Sequence, residues 1–111
     1  MAYDAELAER VQELLAGTHG LSERKMFGGL AFLIGGNMAV AASGQGGLLV
    51  RCDPAESDAL VAVTPAEVAV MQGREMAGWL RVSAEHVRTK PDLARWVELS
   101  AAYAGSLPLK R

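Results

Sequence analysis

The sequence predicts a small α+β domain of order α-β(3)-α-β(2)-α, with a mainly antiparallel five-stranded sheet packed with helices. Two observations lead to this class. Short glycine-rich segments separate the apolar runs between residues 24 and 52, and such short connections imply antiparallel neighbours. Helical patterns lie before, between and after two groups of strands rather than after every strand, which is typical of α+β architecture. A length of 111 residues predicts one domain, residues 1–111.

The N-terminal part predicts one helix and three strands. Apolar residues at i, i+4, i+7 and i+8 form one stripe within residues 4–16, which predicts an amphipathic helix. The segment THGLSE after it is predicted to be a loop. Strands are expected over residues 24–34, 38–42 and 48–52, with turns at GGN and SGQGG. Both faces of the first strand are apolar, so we expect it to be central or covered on both sides.

The segment after the third strand contains the signals of a second helix. Asp53 is the expected N-cap, Pro54 suits the first helical position, and Glu56 occupies the place of a capping-box acid. The following VTPAEVAVM is ambiguous, because its beginning repeats the capping signature whereas its end has strand character. Its position between a helix and GWLRVS favours a strand over residues 68–71.

The C-terminal part predicts one more strand and one more helix. QGREMAG is predicted to be a loop, and alternation over residues 79–83 predicts the fifth strand. Thr89 and Asp92 form a capping box, which indicates a helix start near Thr89 or Lys90. Gly105 is the expected end of this helix.

Composition and charge exclude several classes of protein. Half of the residues are hydrophobic and 22% are charged, which is typical of a globular chain and not of a disordered one. The net charge of -2 and the pI near 5.6 argue against a dominant nucleic-acid-binding surface. The N-terminus MAYDAELAER lacks the apolar core of a signal peptide, and no apolar run is unbroken enough to span a membrane. One cysteine cannot form an intrachain disulfide, so a cytoplasmic location is expected.

Four segments resemble the N-terminal domain of the TfoX/Sxy family. They are RKMFGGLAFLIGGNMAVA, LLVRCDP, GREMAGWLRV and LARWVELSAAYAGSLPLK, and they follow the family's order over nearly the whole chain. The third is similar to a GR-x-M-x-GW segment between the last two strands of the family domain. That domain is described as α-β(3)-α-β(2)-α, which agrees with the order read from the residues.

The resemblance implies a function in regulation. TfoX/Sxy proteins are known as regulators of natural competence genes that are thought to act alongside a transcription activator, and longer members carry a second, C-terminal domain. This chain is therefore expected to be a single-domain member, a non-enzymatic cytoplasmic interaction domain linked to transcriptional regulation. A protein partner such as the transcription machinery and a homo-oligomer are expected, whereas no cofactor and no membrane partner is expected.

The paired glycines of KMFGGLAFLIGG allow two interpretations. A phosphate-binding loop would need G-x-G-x-x-G or a G-K-[ST] ending, and neither spacing is present. A glycine inside a strand otherwise marks a bulge or a close approach of backbone, and this architectural interpretation is favoured for Gly28 and Gly29. The expected small-residue surface consists of Gly29, Ala31, Ala39 and Ala41.

Aromatic residues complete the set that is expected to be structural. Trp79 and Trp96 are expected core anchors where the last strand meets the last helix, and exposure of Trp79 would instead indicate an interface. The residues expected to form structural motifs are Met26, Phe27, Gly28, Gly29, Gly78, Trp79 and Trp96.

Five basic residues form the candidate binding patch: Arg24, Lys25, Arg51, Arg74 and Arg81. If they converge, they can hold an anion, a phosphate or an acidic partner surface. The simpler interpretation, edge protection and scattered surface ion pairs, is favoured. Two alternative functions depend on the patch. One is direct nucleic-acid binding, and the other is a small-ligand or enzymatic role in a pocket near Arg51, Arg81 and Cys52.

Catalytic and metal chemistry has little support in the sequence. Cys52 precedes an N-cap aspartate that would oppose thiolate formation, and a lone cysteine is more often packed in a core. His19 and His86 lie in no nucleophile motif, and the ligand spacings of zinc and calcium sites are missing. No catalytic, cofactor-binding or metal-binding residue is predicted, and the protein is not expected to be an enzyme.

Overall fold

A computed structural model of the chain describes residues 4–26, 28–71 and 73–108. Over these residues the chain forms three α-helices and one six-stranded sheet. The helices are α1 (Ala5–Leu15), α2 (Ser57–Val63) and α3 (Lys90–Ser106). The strands are β1 (Leu21–Met26), β2 (Gly29–Ile34), β3 (Asn37–Ala42), β4 (Leu48–Arg51), β5 (Glu67–Met71) and β6 (Arg74–Val82). Short 3-10 helices, Pro54–Glu56 and Ala84–His86, precede α2 and α3.

The sheet has the strand order β1-β2-β3-β4-β6-β5, and all neighbouring strands are antiparallel. This confirms the predicted α+β class. The predicted count of five strands is wrong by one, because residues 24–34 contain a turn and form parts of two strands. β1 also begins at Leu21, inside the segment that was expected to be a loop.

The first glycine pair explains the extra strand. Met26 pairs with Gly29 at the end of the β1–β2 hairpin, so the chain reverses between them. Gly28 has a φ of +76°, which glycine adopts at no steric cost and which suits a tight turn. The expected alternation from Met26 through Gly28 to Leu30 along one strand is therefore wrong. Phe27, expected in the same motif, lies outside the described residues.

The last hairpin, β5–β6, differs from the prediction in another way. The segment QGREMAG was expected to be a loop, yet residues 74–78 belong to β6. Four residues of β6, 76–79, lie opposite the single residue Ala69 of β5. Gly78 in this stretch has a φ of +86°. The extra residues interrupt the alternation that marks a strand in a sequence, which is why β6 was predicted too short. The ambiguous segment before it is a strand, as favoured.

Capping residues set the starts of the helices. The Asp53 carboxylate accepts a hydrogen bond from the Ala55 backbone N–H at 2.9 Å, and the chain passes through a 3-10 turn before α2. The Thr89 hydroxyl accepts from the Asp92 backbone N–H at 3.3 Å, which fixes the start of α3 where the capping box predicted it. Gly105 lies in the last turn of α3 instead of ending it. None of the described helices combines the length and apolar character needed to cross a membrane.

One face of the sheet packs against α1 and α3 and forms the helix-side core. Val11 of α1 and Trp96 of α3 lie in the same cluster as Phe32, Leu48 and Leu80 of the strands. These side chains are at most 2% exposed. Burying each large apolar side chain stabilises the fold by about 1.5–3 kcal/mol, so this core holds the helices on the sheet.

The opposite face, called here the second face, has a smaller cluster contributed by strands. Ala31, Leu33, Ala41, Leu49 and Ala69 are buried there, with half-buried Met26, Met38 and Trp79 around them. In the described chain, no helix residue belongs to this cluster. Its central residues are small, because Ala31 lies directly opposite Ala41 on the neighbouring strand.

Candidate interaction surface

The paired glycines bring two stretches of backbone together beside the second face. A Cβ on Gly29 would collide with the Ala42 carbonyl oxygen and lie 3.1 Å from the Gly44 nitrogen. A Cβ on Gly44 would lie 2.6 Å from the Gly28 carbonyl oxygen. The β1–β2 turn thus packs directly on the loop after β3, at a separation that only glycines permit. A small cleft of about 30 Å³, lined mostly by apolar groups, lies beside Gly29 and Gly44.

The register of the sheet defines one cross-strand row on the second face. Its members, in order from β1 to β5, are Arg24, Ala31, Ala41, Leu49, Arg81 and Glu67. Arg24 and Arg81 are separated along this row by four strand spacings, about 19 Å. Apolar residues therefore lie between two arginines, and Glu67 ends the row beside Arg81. The expected small-residue surface is correct for Ala31 and Ala41, whereas Ala39 lies in the helix-side core.

Arg51 joins the second face to α3. Its guanidinium carbon lies 5.1 Å from the centre of the Trp79 ring and 5.6 Å from the centre of the Tyr103 ring. A guanidinium N–H also donates a hydrogen bond to the Met38 carbonyl oxygen at 3.4 Å. A cation within about 6 Å of an aromatic ring is attracted to its face. Arg51 is therefore held between a strand residue and a helix residue.

The two tryptophans lie in different clusters. Trp96 is an anchor of the helix-side core, at 2% exposure. Trp79 is half-buried on the second face, where Arg51 covers its ring. The expectation that both lie where the last strand meets the last helix is therefore wrong for Trp79, because Trp79 and Leu80 point to opposite faces.

Three of the five basic residues of the candidate patch lie on one face of the sheet, but they do not converge into one site, because Arg24 and Arg81 are about 19 Å apart. Arg24, Arg51 and Arg81 share the second face. Lys25 is exposed on β1 but alternates to the helix side, opposite Leu30. Arg74 is exposed at the start of β6, in the turn region of the last hairpin.

A cleft of about 290 Å³ lies next to Arg81, at the end of the second face. Its lining includes Gln45, Glu67 and Ser83. A guanidinium N–H of Arg81 lies 3.4 Å from the Ser43 hydroxyl, to which it donates. Arg51 and Cys52 do not line this cleft, so it is not the pocket that was expected near Arg51, Arg81 and Cys52.

Cys52 is a buried residue of the helix-side core, at 1% exposure. Burial raises the pKa of its thiol, and the nearby carboxylates of Glu56 and Asp53 raise that pKa further. The thiol therefore stays protonated at neutral pH, which makes it a weak nucleophile. Its backbone N–H donates to the Gly78 carbonyl oxygen at 2.8 Å, so the residue also ties β4 to the irregular part of β6.

Ligand sets for a metal are missing from the described part of the chain, where no three His, Cys, Asp or Glu side chains could hold an ion together. His19 is exposed in the turn before β1, and His86 ends the 3-10 helix Ala84–His86. The two histidines therefore lie in separate surface segments.

Sequence reasoning missed several residues that matter to the surface. Nothing local in the sequence indicates that Tyr103 of α3 covers an arginine of β4. The exposure of Val63 and Val70, at 80% and 56%, was also missed. For β1, which forms one edge of the sheet, the sequence does contain a signal. The charged run Glu23-Arg24-Lys25 is typical of an edge strand.

The sequence profile of the TfoX N-terminal domain matches residues 13–104. The chain belongs to the TfoX N-terminal domain family. The match runs from the end of α1 into the last turns of α3, so this TfoX N-terminal domain includes the whole sheet and both outer hairpins. It confirms the resemblance seen in the sequence motifs. Comparison with curated proteins and with solved structures gave no significant match.

Proposed function

We propose that this TfoX N-terminal domain is a non-enzymatic, cytoplasmic protein-interaction domain that takes part in transcriptional regulation, including regulation of competence genes. The observation that carries the proposal is the family match over residues 13–104. The domain acts by contacting a protein of the transcription machinery.

The chemistry of the described residues supports a binding role. Cys52, the residue with the most nucleophilic side chain, is buried and protonated at neutral pH because its pKa is raised. Arg24, Arg51 and Arg81 lie around apolar residues of the second face. Arginine beside apolar and aromatic groups is enriched in protein interfaces. An acidic partner surface fits this arrangement by charge.

The proposal is tested by capture and by transcript measurement in the native cell. The tagged chain should retain a transcription factor or an RNA polymerase subunit, and deletion of its gene should change a defined set of transcripts. Retention should fall for the double variant Arg24→Ala/Arg81→Ala and persist for Lys25→Ala, whose side chain lies on the helix side of β1. A domain that retains no such protein, and whose deletion leaves the transcripts unchanged, contradicts the proposal.

A second candidate function is direct nucleic-acid binding. The observation that favours it is the placement of Arg24, Arg51 and Arg81 on one face, and the presence of Glu67 on the same row weighs against it. This function predicts DNA or RNA binding that weakens as salt rises, with a salt slope reduced by about one for each phosphate-contacting arginine that is removed. Absence of binding at low salt excludes it.

A further inference from the structure

The sheet ends at β5 in an edge that lacks the usual protection. After Glu67 the strand continues with Val68, Ala69 and Val70, and the Val70 side chain is 56% exposed. Among the described residues, the exposed large apolar side chains are Val63 and Val70, so both belong to the segment from the end of α2 to β5. An exposed edge strand offers unpaired backbone N–H and C=O groups, and soluble proteins normally guard it with charges.

The opposite edge, β1, is guarded in that way. Glu23, Arg24 and Lys25 are consecutive and exposed. A two-fold axis centred on Glu23 would place two glutamates opposite each other, and one centred on Arg24 would do the same with two arginines. Like charges directly opposite in a sheet are destabilising, so β1 disfavours pairing with its own copy.

We propose that β5 pairs antiparallel with β5 of a second copy of this chain, about a two-fold axis at Ala69. The two six-stranded sheets then join into one continuous sheet. In this register Val68 of one copy lies opposite Val70 of the other, and Glu67 lies opposite Met71. The contact is isologous and closes on itself, which limits the assembly to a dimer.

Charge complementarity supports this register. Within one chain Glu67 pairs with Arg81, and Met71 pairs with Arg74. Where the two β5 strands meet, these pairs join into one row: Arg81 and Glu67 of one copy are followed by Met71 and Arg74 of the other. The two-fold axis generates a second, identical row. Glu67 of each copy then lies two strand spacings, about 10 Å, from Arg74 of the other. The single acidic residue of β5 therefore lies opposite Met71 and two strands from a cation of the other copy, not opposite its own copy.

The same axis brings α2 of the two copies to one side of the joined sheet, because α2 packs on β5 and β6. Val63, the last residue of α2, is 80% exposed in the single chain. The dimer thus places the exposed Val70 of each copy opposite the apolar Val68 of the other. It goes beyond the proposed function, because it requires no regulatory partner.

Light scattering of the purified chain tests the proposal. Over the micromolar to millimolar range the mass should rise towards twice the 11.7 kDa of one chain. Val70→Lys should keep it at 11.7 kDa, because a lysine at the edge blocks strand addition. The matched control Ser22→Lys, on the exposed part of β1, should dimerise like the unmodified chain.

Three results would overturn the proposal. They are an unmodified chain that stays monomeric at all concentrations, a Val70→Lys variant that still dimerises, and a Ser22→Lys variant that dissociates. Circular dichroism checks that Val70→Lys is folded, as expected for a change at an exposed side chain. If that variant fails to fold, hydrogen exchange of the unmodified chain decides: amide protection in residues 67–70 must rise with concentration, and constant protection contradicts the dimer.

Discussion

The two outer hairpins of the sheet are built in contrasting ways. In β1–β2 the strands pair residue for residue from Leu21–Ile34 to Met26–Gly29, and the outer strand is charged. In β5–β6 four residues of the inner strand lie opposite one residue of the outer strand, and the outer strand is mostly apolar. Irregular pairing is over-represented at sheet edges and functional sites. The difference indicates that the first hairpin protects the sheet and that the last hairpin is the one suited to a contact.

The two hairpins are also held by different interactions. The first depends on missing side-chain atoms, since Gly29 and Gly44 let backbone pack on backbone. The second depends on side chains and one backbone bond, through Arg51 on Trp79 and the Cys52 N–H donated to the Gly78 carbonyl. The stability of the first hairpin should therefore fall when side-chain atoms are added at its glycines. The stability of the last hairpin should fall when the side-chain atoms that hold it are removed.

The largest effect is expected from Gly29→Ala in the first hairpin. The new Cβ collides with the Ala42 carbonyl oxygen, and backbone cannot move aside as a flexible side chain can. We expect a loss of about 3 kcal/mol in the free energy of unfolding, near the upper end of what overpacking costs. Chemical denaturation of the purified variant measures it.

Gly105→Ala is the matched control for that variant. Gly105 lies in α3, and its Cβ would approach only the Ile34 side chain, at 3.9 Å, which is ordinary contact. The same substitution should therefore stabilise the fold by about 0.5–1 kcal/mol, because alanine favours helix. Equal losses from both variants would show that the close approach at Gly29 does not hold the first hairpin.

A smaller effect is expected from Arg51→Met on the side of the last hairpin. Methionine keeps the aliphatic contact but removes the guanidinium from the Trp79 and Tyr103 rings. We expect a loss of about 1.5 kcal/mol, the sum of two partly buried cation–π contacts of modest strength. Thermal and chemical unfolding give the value, and Trp79 fluorescence should change with it.

Arg24→Met on β1 is the control for Arg51→Met. Arg24 is exposed, so its removal should change stability by less than about 0.5 kcal/mol. If Arg24→Met and Arg51→Met lower the free energy of unfolding equally, the contacts of Arg51 with the two aromatic rings do not stabilise the fold. The last hairpin would then not be held by side chains in the way described above.

The smallest effect is expected from pH at Cys52, beside the last hairpin. Burial, Glu56 and Asp53 raise the pKa of the folded thiol above its ordinary value of 9.0. The folded state therefore holds the proton more tightly than the unfolded state. Below pH 9.0 the ionisation of this thiol does not change the free energy of unfolding. As the pH rises above 9.0 and through the pKa of the folded thiol, the free energy of unfolding falls.

The pH effect is measured by comparing unfolding curves of Cys52→Ala with those of the unmodified chain at neutral and alkaline pH. The variant should be less stable throughout, since a buried side chain is shortened, but its alkaline decline should be shallower. Parallel declines would contradict the assignment to this thiol.

Local signals predicted much of the fold. The capping box of Thr89 and Asp92 located α3, and the turn residues GGN and SGQGG located two strand ends. The β1–β2 turn was missed because Gly28 and Gly29 sit between apolar residues that look like one strand. β6 was predicted too short because its extra residues break the alternation near Gly78.

The candidate surface was less predictable than the fold. Alternation could assign Lys25 and Arg24 to opposite faces, but only after β1 was known to be a strand of its own. The Arg51–Tyr103 contact joins residues far apart in the chain, and it depends on how α3 crosses the sheet. The exposure of Val70 depends on β5 being the last strand in the order, which sequence neighbours do not reveal.

The most direct test of the contrast between the two edges is an amide NMR spectrum recorded during dilution of the unmodified chain. If β5 is the contact edge, signals of residues 67–70 shift or broaden with concentration while those of residues 22–25 stay unchanged. Concentration-dependent signals on β1, or constant signals on both edges, would contradict it.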